Sequence, residues 1–154
     1  MIVVSDTSPI NYLCQLGHID ILPQLFGRVV VPHAVMLELS AVAAPQPVQA
    51  FTRHVPDWLE IRSPGGIDSS LDNLGLGERQ AIALAQELSA NLLIADDKLA
   101  RLTAERRQID VMGTLGILML AADKGLLQLA PAIAGLRSFG FYLSDAVARE
   151  ILSG

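Results

Sequence analysis

The stretch Ile2-Val3-Val4-Ser5-Asp6-Thr7-Ser8-Pro9 decides the fold of this chain. Its opening run is short and rich in β-branched residues, which is typical of a buried strand, and an acid follows the strand directly. Ser8 and Pro9 then predict the N-cap and the first position of a helix, which Gly17 can close. The stretch therefore predicts a strand that passes straight into a helix.

The same alternation of strand and helix recurs along the chain. Four further strands are predicted, at Arg28–Val31, Leu59–Arg62, Leu92–Ala95 and Ile109–Met112. Between and after them, helices are predicted from Pro32 to about Val42, from the turn holding Glu78 to about Ser89, at Lys98–Arg106, at Leu115–Ala122, at Leu126–Leu136 and after the cap Ser144. Ala43–Pro47 and Ser63–Gly77 read as a turn and a loop. Such alternation predicts a parallel α/β sheet.

Composition favours one globular domain over residues 1–154 and excludes several classes of protein. With 51% hydrophobic residues, the chain can build an aliphatic core without staples. The only cysteine, Cys14, cannot form an internal disulfide, and neither a signal peptide nor a membrane span is apparent, so we expect a cytoplasmic protein. A net charge of −5 argues against a protein that coats nucleic acid through a large basic field.

Acids follow two of the predicted strands. Asp6 comes directly after the first strand, and Asp96 and Asp97 come directly after the fourth. Ligands of open parallel sheets bind at the carboxyl ends of strands. If the strand order is 3-2-1-4-5, the first and fourth strands are neighbours about 4.8 Å apart, which brings Asp6 and Asp97 within reach of a shared cation.

Two glutamates can complete such a site. Glu38 lies among apolar residues of the helix after the second strand, where an unpaired carboxylate is costly. Glu78 opens the helix that precedes the fourth strand and can lean over the same edge. A set of oxygen ligands without Cys or His suits Mg²⁺ or Mn²⁺ rather than zinc.

Each acid also has an ordinary structural explanation. Asp6 could form a local turn or cap, Glu78 could be a first-turn glutamate that meets the helix dipole, and Glu38 could be solvated or salt-bridged. One of Asp96 and Asp97 is expected to cap the helix Lys98–Arg106, and the sequence does not say which.

Taken together, the motifs resemble those of PIN-domain proteins, and more narrowly those of a VapC-like branch. The matching stretches are Asp6-Thr7-Ser8-Pro9, Gly75-Leu76-Gly77-Glu78, Asp96-Asp97-Lys98-Leu99-Ala100-Arg101, Gly113-Thr114-Leu115-Gly116 and the tail Phe139-Gly140-Phe141-Tyr142-Leu143-Ser144. The resemblance implies a three-layer α/β/α sandwich around a five-stranded parallel sheet of order 3-2-1-4-5. It also implies metal-dependent cleavage of RNA, commonly as the toxin partnered by an antitoxin protein.

By that resemblance Asp6, Glu38, Glu78 and Asp97 are the metal-binding and catalytic acids, with Asp96 as a substitute for Asp97. Two positions depart from the family pattern. The third acid is commonly Asp and is here Glu78, and the Thr or Ser two residues before the fourth acid is here Ala95. A longer side chain and a lost hydroxyl would each disturb the ligands, so we expect weaker activity.

Contacts to RNA are expected from cations near the acids. Lys98 and Arg101 share a helix face, and the other candidates are Ser8, Arg79, Arg106, Arg107 and Thr114. Thr114, at the start of a helix after the fifth strand, could present its hydroxyl and helix-terminal N–H groups to a phosphate. The alternatives are an ordinary solvated face for the cations and a simple N-cap for Thr114.

Two other functions require residues that this chain lacks. A haloacid-dehalogenase phosphatase needs a second aspartate where Ser8 stands, and a phosphorelay receiver needs an acceptor after the third strand, which ends at Arg62-Ser63. Neither fits. The remaining alternative is a PIN-fold protein that acts by binding a partner. A homodimer is also expected, because Leu115–Ala122 and Leu126–Leu136 carry more apolar surface than one small domain covers.

Overall fold

Five parallel strands form the centre of the protein, for which a computed structural model describes residues 1–154. The strands are β1 (Val3–Ser5), β2 (Val29–Pro32), β3 (Leu59–Arg62), β4 (Leu92–Ile94) and β5 (Val111–Met112). Their order in the sheet is β3-β2-β1-β4-β5, and every neighbouring pair is parallel. The predicted order 3-2-1-4-5 is therefore confirmed.

Nine α-helices surround this sheet. They are α1 (Thr7–Leu16), α2 (Ile21–Phe26), α3 (His33–Leu39), α4 (Gln46–Arg53), α5 (Leu76–Glu87), α6 (Lys98–Arg106), α7 (Thr114–Asp123), α8 (Leu129–Ser138) and α9 (Asp145–Ser153). None of these helices has the length and apolar character needed to cross a bilayer.

Consecutive strand residues face opposite sides of the sheet and so create two cores. Val3, Val29 and Val31 pack with residues of α1 to α4, α7 and α8, whereas Val4 and Val30 pack with residues of α5 and α6. This alternation is the ordinary period of a strand, and burial on both faces explains why β1, β2 and β4 are almost wholly apolar, whereas the edge strand β3 carries Glu60 and Arg62. The predicted three-layer α/β/α sandwich is confirmed.

The start of α1 differs from the prediction. The helix begins at Thr7 with Asp6 at the N-cap position, so Ser8 is not the cap. The hydroxyl of Ser8 instead donates to Asp96 at 2.6 Å. Pro9 lies in the first turn, where a missing backbone N–H leaves no helical hydrogen bond unmade. Gly17 ends the helix with a φ of 75°, as predicted.

Other boundaries moved because tertiary contacts outweigh local signals. Helices α2 and α4 were missed; both are short, and each contains a proline in its first turn that reads as a break. Helix α3 ends at Leu39 rather than near Val42. The loop Ser63–Gly77 holds a 3₁₀ turn at Ser69–Leu71 and gives up its last two residues to α5.

Candidate functional site

Asp6 is the most buried acid of the protein and lies at the end of the central strand β1. Its backbone N–H donates to the carbonyl of Ile94 at 2.9 Å, which ties the ends of β1 and β4 together. Only 6% of the residue is exposed, yet its Oδ1 atom has no hydrogen-bond partner. A buried carboxylate oxygen without a partner is costly, and it marks a position that a cation or a proton would complete.

The acid–base behaviour of Asp6 reflects this position. Burial is the main cause that raises the pKa of Asp6 from 3.8 to about 7; the Thr7 backbone N–H opposes this rise, and repulsion from Glu78, Glu38 and Asp96 adds to it. These four acids thus lie within one another's electrostatic field. Without a cation, Asp6 therefore holds its proton up to near-neutral pH.

Glu38 is held in place by donors from two other helices. The Thr7 hydroxyl at the start of α1 donates to Glu38 Oε2, and the Gly77 backbone N–H at the start of α5 donates to Oε1 at 3.2 Å. The absence of a side chain at position 77 makes this approach possible, because a Cβ there would lie 2.7 Å from Oε1. The Glu38 carboxylate can therefore take this position only when residue 77 is glycine.

Glu78 stands one residue further along α5 and leans over the same edge. Its Oε1 accepts from the Gly75 backbone N–H at 3.1 Å, which is half of a capping box, since Gly75 has no side chain to return the bond. Partial burial raises the pKa of Glu78, and the neighbouring Asp97 and Glu38 raise it further. Glu78 therefore connects the acids of β1 and α3 with those after β4.

The two aspartates after β4 have different surroundings. Asp97 is the N-cap of α6, and its Oδ2 accepts from the Ala100 N–H at 3.0 Å. Asp96 accepts three hydrogen bonds, from the Ser8 hydroxyl at 2.6 Å and from the Thr114 hydroxyl and backbone N–H at 2.7 Å each. Asp97 thus caps a helix while facing Glu78, and Asp96 joins α1 to α7.

The carboxyl edge of the sheet thus gathers all five predicted acids, yet no three of them are arranged for direct metal ligation. Glu38, Glu78, Asp96 and Asp97 each turn at least one oxygen onto a donor of the protein. The donor set nevertheless fits a hard divalent ion, because it is entirely oxygen and includes the unpartnered Oδ1 of Asp6.

Cavity size alone does not point to this edge. The largest cavity, about 770 Å³, is lined by Met1, Phe26 and Leu120 among others and contains none of the five acids. The acids border two smaller clefts, one of about 290 Å³ beside Glu38 and one of about 240 Å³ beside Asp96. The largest cavity is lined mainly by hydrophobic residues, whereas the carboxylates that can hold a cation lie at the edge of the sheet.

The candidate RNA contacts divide into free and engaged groups. Lys98 and Arg101 line the cleft beside Asp96, and neither is in an ion pair. Arg79 faces Asp72 at 3.7 Å, and its buried Nε has no partner.

The other candidates are less available. Arg106 is exposed in the last turn of α6, whereas Arg107 is bound to Gln86 and Ser70. The hydroxyls of Ser8 and Thr114 both donate to Asp96, and Thr114 is fully buried. Neither hydroxyl is free for a phosphate in this arrangement.

The sequence analysis assigned no role to three residues: Thr7 and Gly77, which stand within the matching motifs, and Tyr12. Thr7 and Gly77 hold Glu38, and Tyr12 lies one turn from Ser8 on α1. A glycine in the first turn of a helix is a weak signal for a close approach. No signal in the sequence pairs Thr7 with Glu38, because the contact joins two helices far apart in the chain.

A parallel sheet of order 3-2-1-4-5 with acids at its carboxyl edge agrees with the fold of PIN domains, which are typically nucleases that use divalent metal ions. Residues 2–154 match the family described as DUF3368: PIN domain. The chain belongs to this family. The predicted resemblance to PIN domains is thereby confirmed.

A solved structure supports the same fold. The chain is similar to a PilT N-terminus domain protein from the hyperthermophilic archaeon Sulfolobus solfataricus P2, with a TM-score of 0.54 and 18% identity over 94% of this chain and 98% of that one. No curated protein matches the chain.

Proposed function

We propose that this protein is an endoribonuclease of the VapC-like branch that depends on Mg²⁺ or Mn²⁺. The proposal rests chiefly on Asp6, a carboxylate that is 6% exposed, lacks a partner for Oδ1 and lies within the field of three other acids. Such a group is costly in a structural role. It is useful where a cation and a phosphodiester must be held together.

The acids would divide the work between them. Asp6, Glu38, Glu78 and Asp97 would hold the ion, and Asp96 would keep α1, β4 and α7 in register through its three hydrogen bonds. When bound, the ion supplies Lewis-acid chemistry: it lowers the pKa of a water, orients it toward the phosphodiester and neutralises charge on the leaving oxygen. Thr7 and Gly77 orient Glu38, so the carboxylate does not have to be ordered during the reaction.

The substrate in this proposal is RNA, and the cations beside the acids would bind its backbone. Lys98 and Arg101 stand free on the cleft that Asp96 borders, so a phosphate chain crossing the acids meets both. Arg79, in the first turn of α5 with Glu78, would bind on the other side. A net charge of −5 leaves only this local field, together with any bound cation, to attract an anion.

Assembly and biological setting extend the proposal. We expect residues 1–154 to act as one PIN-like domain in the cytoplasm, as a toxin restrained by an antitoxin protein and as a homodimer. The dimer is motivated by Met119 on α7 and Leu126 after it, which are 41% and 37% exposed. Light scattering at micromolar concentration tests it, and a monomer would refute the dimer without touching the nuclease.

The nuclease is tested by cleavage of pools of tRNA and mRNA with and without divalent metal. Wild-type protein should cut in Mg²⁺ or Mn²⁺ and stop in EDTA, and either ion should raise the melting temperature through linkage. Asp6→Asn should lose both responses. Asp123→Asn, which removes an exposed acid at the end of α7, is the matched control and should keep both. Cleavage undiminished in EDTA would refute the proposal.

A second candidate function is a PIN-fold protein that acts by binding a partner. One observation favours it: no three acids are arranged for ligation, and four of them already hold protein donors. The departures at Glu78 and Ala95 point the same way. This candidate predicts no cleavage of any RNA pool, no rise in melting temperature with Mg²⁺ or Mn²⁺, and tight binding to a protein partner.

A further inference from the structure

Two aromatic side chains stand in solvent at the turn between α8 and α9. Tyr142 is 88% exposed and Phe139 is 44% exposed, while Phe141 between them is turned inward. Aromatic rings carry a large flat surface on which another π-system can stack. The sequence motif around this turn, Phe139 to Ser144, contributes none of the acids or cations of the proposed nuclease site.

The segment that leads to this turn, from Gly135 to Phe141, packs against α1 and runs toward the end of α1 that carries the acids. Gly135 of α8 touches Leu16, and a Cβ on this glycine would lie 2.7 Å from Leu16 Cδ2. Further along the chain, Phe141 packs edge-on against Tyr12, with ring centroids 5.4 Å apart and planes at 81°. Tyr12 is one helical turn closer than Leu16 to the start of α1. These contacts therefore move toward the start of α1 as the chain proceeds, and Tyr142 comes directly after the second of them.

Tyr12 connects this turn with the acids. It lies one turn of α1, a rise of about 6 Å, from Ser8, whose hydroxyl donates to Asp96 at 2.6 Å. Burial and then the charge of Asp96 raise the pKa of Tyr12, which is a second sign that the tyrosine stands within the field of the site. The contacts that lead from Asp96 through Ser8 and Tyr12 therefore reach Phe141, the residue directly before the exposed Tyr142.

The turn itself is well fixed. Gly140 adopts a φ of 98°, a conformation that favours glycine, and the Phe141 N–H donates to the Leu136 carbonyl at 3.2 Å. Downstream, the Ser144 hydroxyl caps α9 and Arg137 pairs with Asp145 at 2.6 Å. A ring carried on such a turn binds at a lower entropic cost than a ring on a loose tail.

We propose that Tyr142, with Phe139 beside it, is a stacking platform for an unpaired base of single-stranded RNA whose backbone lies across the acids. This inference rests on the proposed nuclease function and deepens it. Asp96 lines the cleft of Lys98 and Arg101, and it also bonds Ser8 on the α1 side that leads to Tyr142. A strand passing Asp96 would thus meet cations on one side and aromatic rings on the other.

Stacking suits this protein for a further reason. The chain has a net charge of −5, so its affinity for RNA cannot come from a broad basic surface. Stacking on aromatic rings adds affinity without charge and tolerates any base, because every base has a π-face. The platform would also hold the strand in single-stranded form beside the acids.

The test measures binding of labelled oligouridylate by fluorescence anisotropy, in the Asp6→Asn background so that no RNA is cut. Tyr142→Ala should weaken binding roughly 5- to 150-fold, the range measured for loss of one base–aromatic stack. Tyr142→Phe should restore binding, because the ring and not the hydroxyl does the stacking. Leu152→Ala, which removes a 45% exposed apolar side chain from α9, is the matched control and should bind normally.

A spectroscopic reading separates stacking from a general change of surface. The emission of Tyr142→Trp should be quenched when oligouridylate binds, whereas a tryptophan placed at the 98% exposed Val42 should be unaffected. In the active protein, Tyr142→Ala should raise KM and leave kcat unchanged, because a base beside the scissile bond contributes to binding and not to the chemistry.

The outcomes distinguish the platform from the nuclease. If Tyr142→Ala binds RNA as tightly as its parent while wild-type protein cuts RNA, the platform is wrong and the nuclease stands. If Tyr142→Ala changes only the oligomeric state, the turn is a protein interface and the inference is overturned. If neither the wild type nor the Asp6→Asn parent binds any RNA, the nuclease and the platform fall together.

Discussion

The ends of β1 and β4 lie side by side, each strand end leads to an aspartate, and the two aspartates have opposite surroundings. Asp6 after β1 is 6% exposed and leaves Oδ1 without a partner. Asp96 after β4 is less buried and accepts three hydrogen bonds. Two aspartates at the same edge of the sheet therefore differ in how much of their hydrogen-bonding capacity the protein already fills.

This difference separates two kinds of acid within one cluster. An unpartnered buried carboxylate lowers stability until a cation or proton completes it. A carboxylate with three donors is already complete, and it stabilises the elements that it joins. The site thus combines a position prepared for binding with a position that holds α1, β4 and α7 together.

The largest expected effect comes from replacing the two aspartates in parallel. Asp6→Asn should abolish the rise in melting temperature caused by Mn²⁺ while leaving the metal-free protein at least as stable at pH 8. Asp96→Asn should lower the free energy of unfolding by about 3 kcal/mol, the value of one to two charge-assisted hydrogen bonds. Urea unfolding with and without Mn²⁺ measures both. Equal losses of metal-free stability would remove the distinction.

The next largest effect is expected from the contact between Gly77 and Glu38. Gly77→Ala should weaken Mn²⁺ binding by about 10- to 100-fold, as loss of an orienting contact commonly does, because the new Cβ would lie 2.7 Å from Glu38 Oε1. Calorimetric titration measures this affinity. Gly66→Ala is the control, since a Cβ there meets nothing within 4 Å.

A second substitution sharpens the Gly77 prediction. Glu38→Asp shortens the opposing side chain by one methylene, so it should weaken Mn²⁺ binding alone and recover part of the affinity in combination with Gly77→Ala. Additive losses in the double variant would show that Gly77 acts through helix geometry and not through Glu38.

The pH dependence of the metal-free protein follows from Asp6. Its pKa is about 7 in the folded protein against an ordinary value of 3.8, so between these values the folded state holds a proton that the unfolded state has released. The stability due to Asp6 is fully present below pH 3.8 and is lost as the pH rises to about 7. In Asp6→Asn the free energy of unfolding should decrease less as the pH rises, which chemical denaturation across this pH range would detect. If the free energy of unfolding of the variant depends on pH as steeply as that of the wild type, other groups cause the pH dependence.

The smallest effect is expected at Thr114. Thr114→Val keeps the shape of the side chain and removes its bond to Asp96. We expect a loss of about 1.5 kcal/mol in the free energy of unfolding, the lower end for one hydrogen bond to a charged group, with the Mn²⁺ response retained. Thr103→Val, which removes a hydroxyl that bonds only within α6, is the control. A loss of the metal response in Thr114→Val would make Asp96 a ligand rather than a support.

Local pattern predicted the fold well. The short β-branched runs of the strands, the glycine at Gly17 and the cap at Ser144 are properties of neighbouring residues, and these elements lie close to where the sequence predicts them. Helices α2 and α4 were missed because a proline in a first turn has the same local signature as a break. Their helical form depends on burial of residues such as Leu22 and Val48 in the core.

The candidate site was predictable only in part. Strand ends and parallel pairing are enough to bring Asp6 near Asp96 and Asp97, because all carboxyl ends of such a sheet meet at one edge. The distinct surroundings of Asp96 and Asp97 could not be read from the chain. They depend on the hydroxyls of Ser8 and Thr114, which come from α1 and α7.

The sequence by itself determined the alternation of strand and helix, the parallel sheet and the acids at its edge, since these follow from hydrophobic period and residue type. Only the tertiary structure decided that Asp6 lacks a partner, that Asp96 has three, that Gly77 admits Glu38 and that Phe141 packs on Tyr12. Each of these facts is a contact between residues distant in the chain. Such contacts are set by how packed helices bring donors and acceptors together, and no local pattern encodes them.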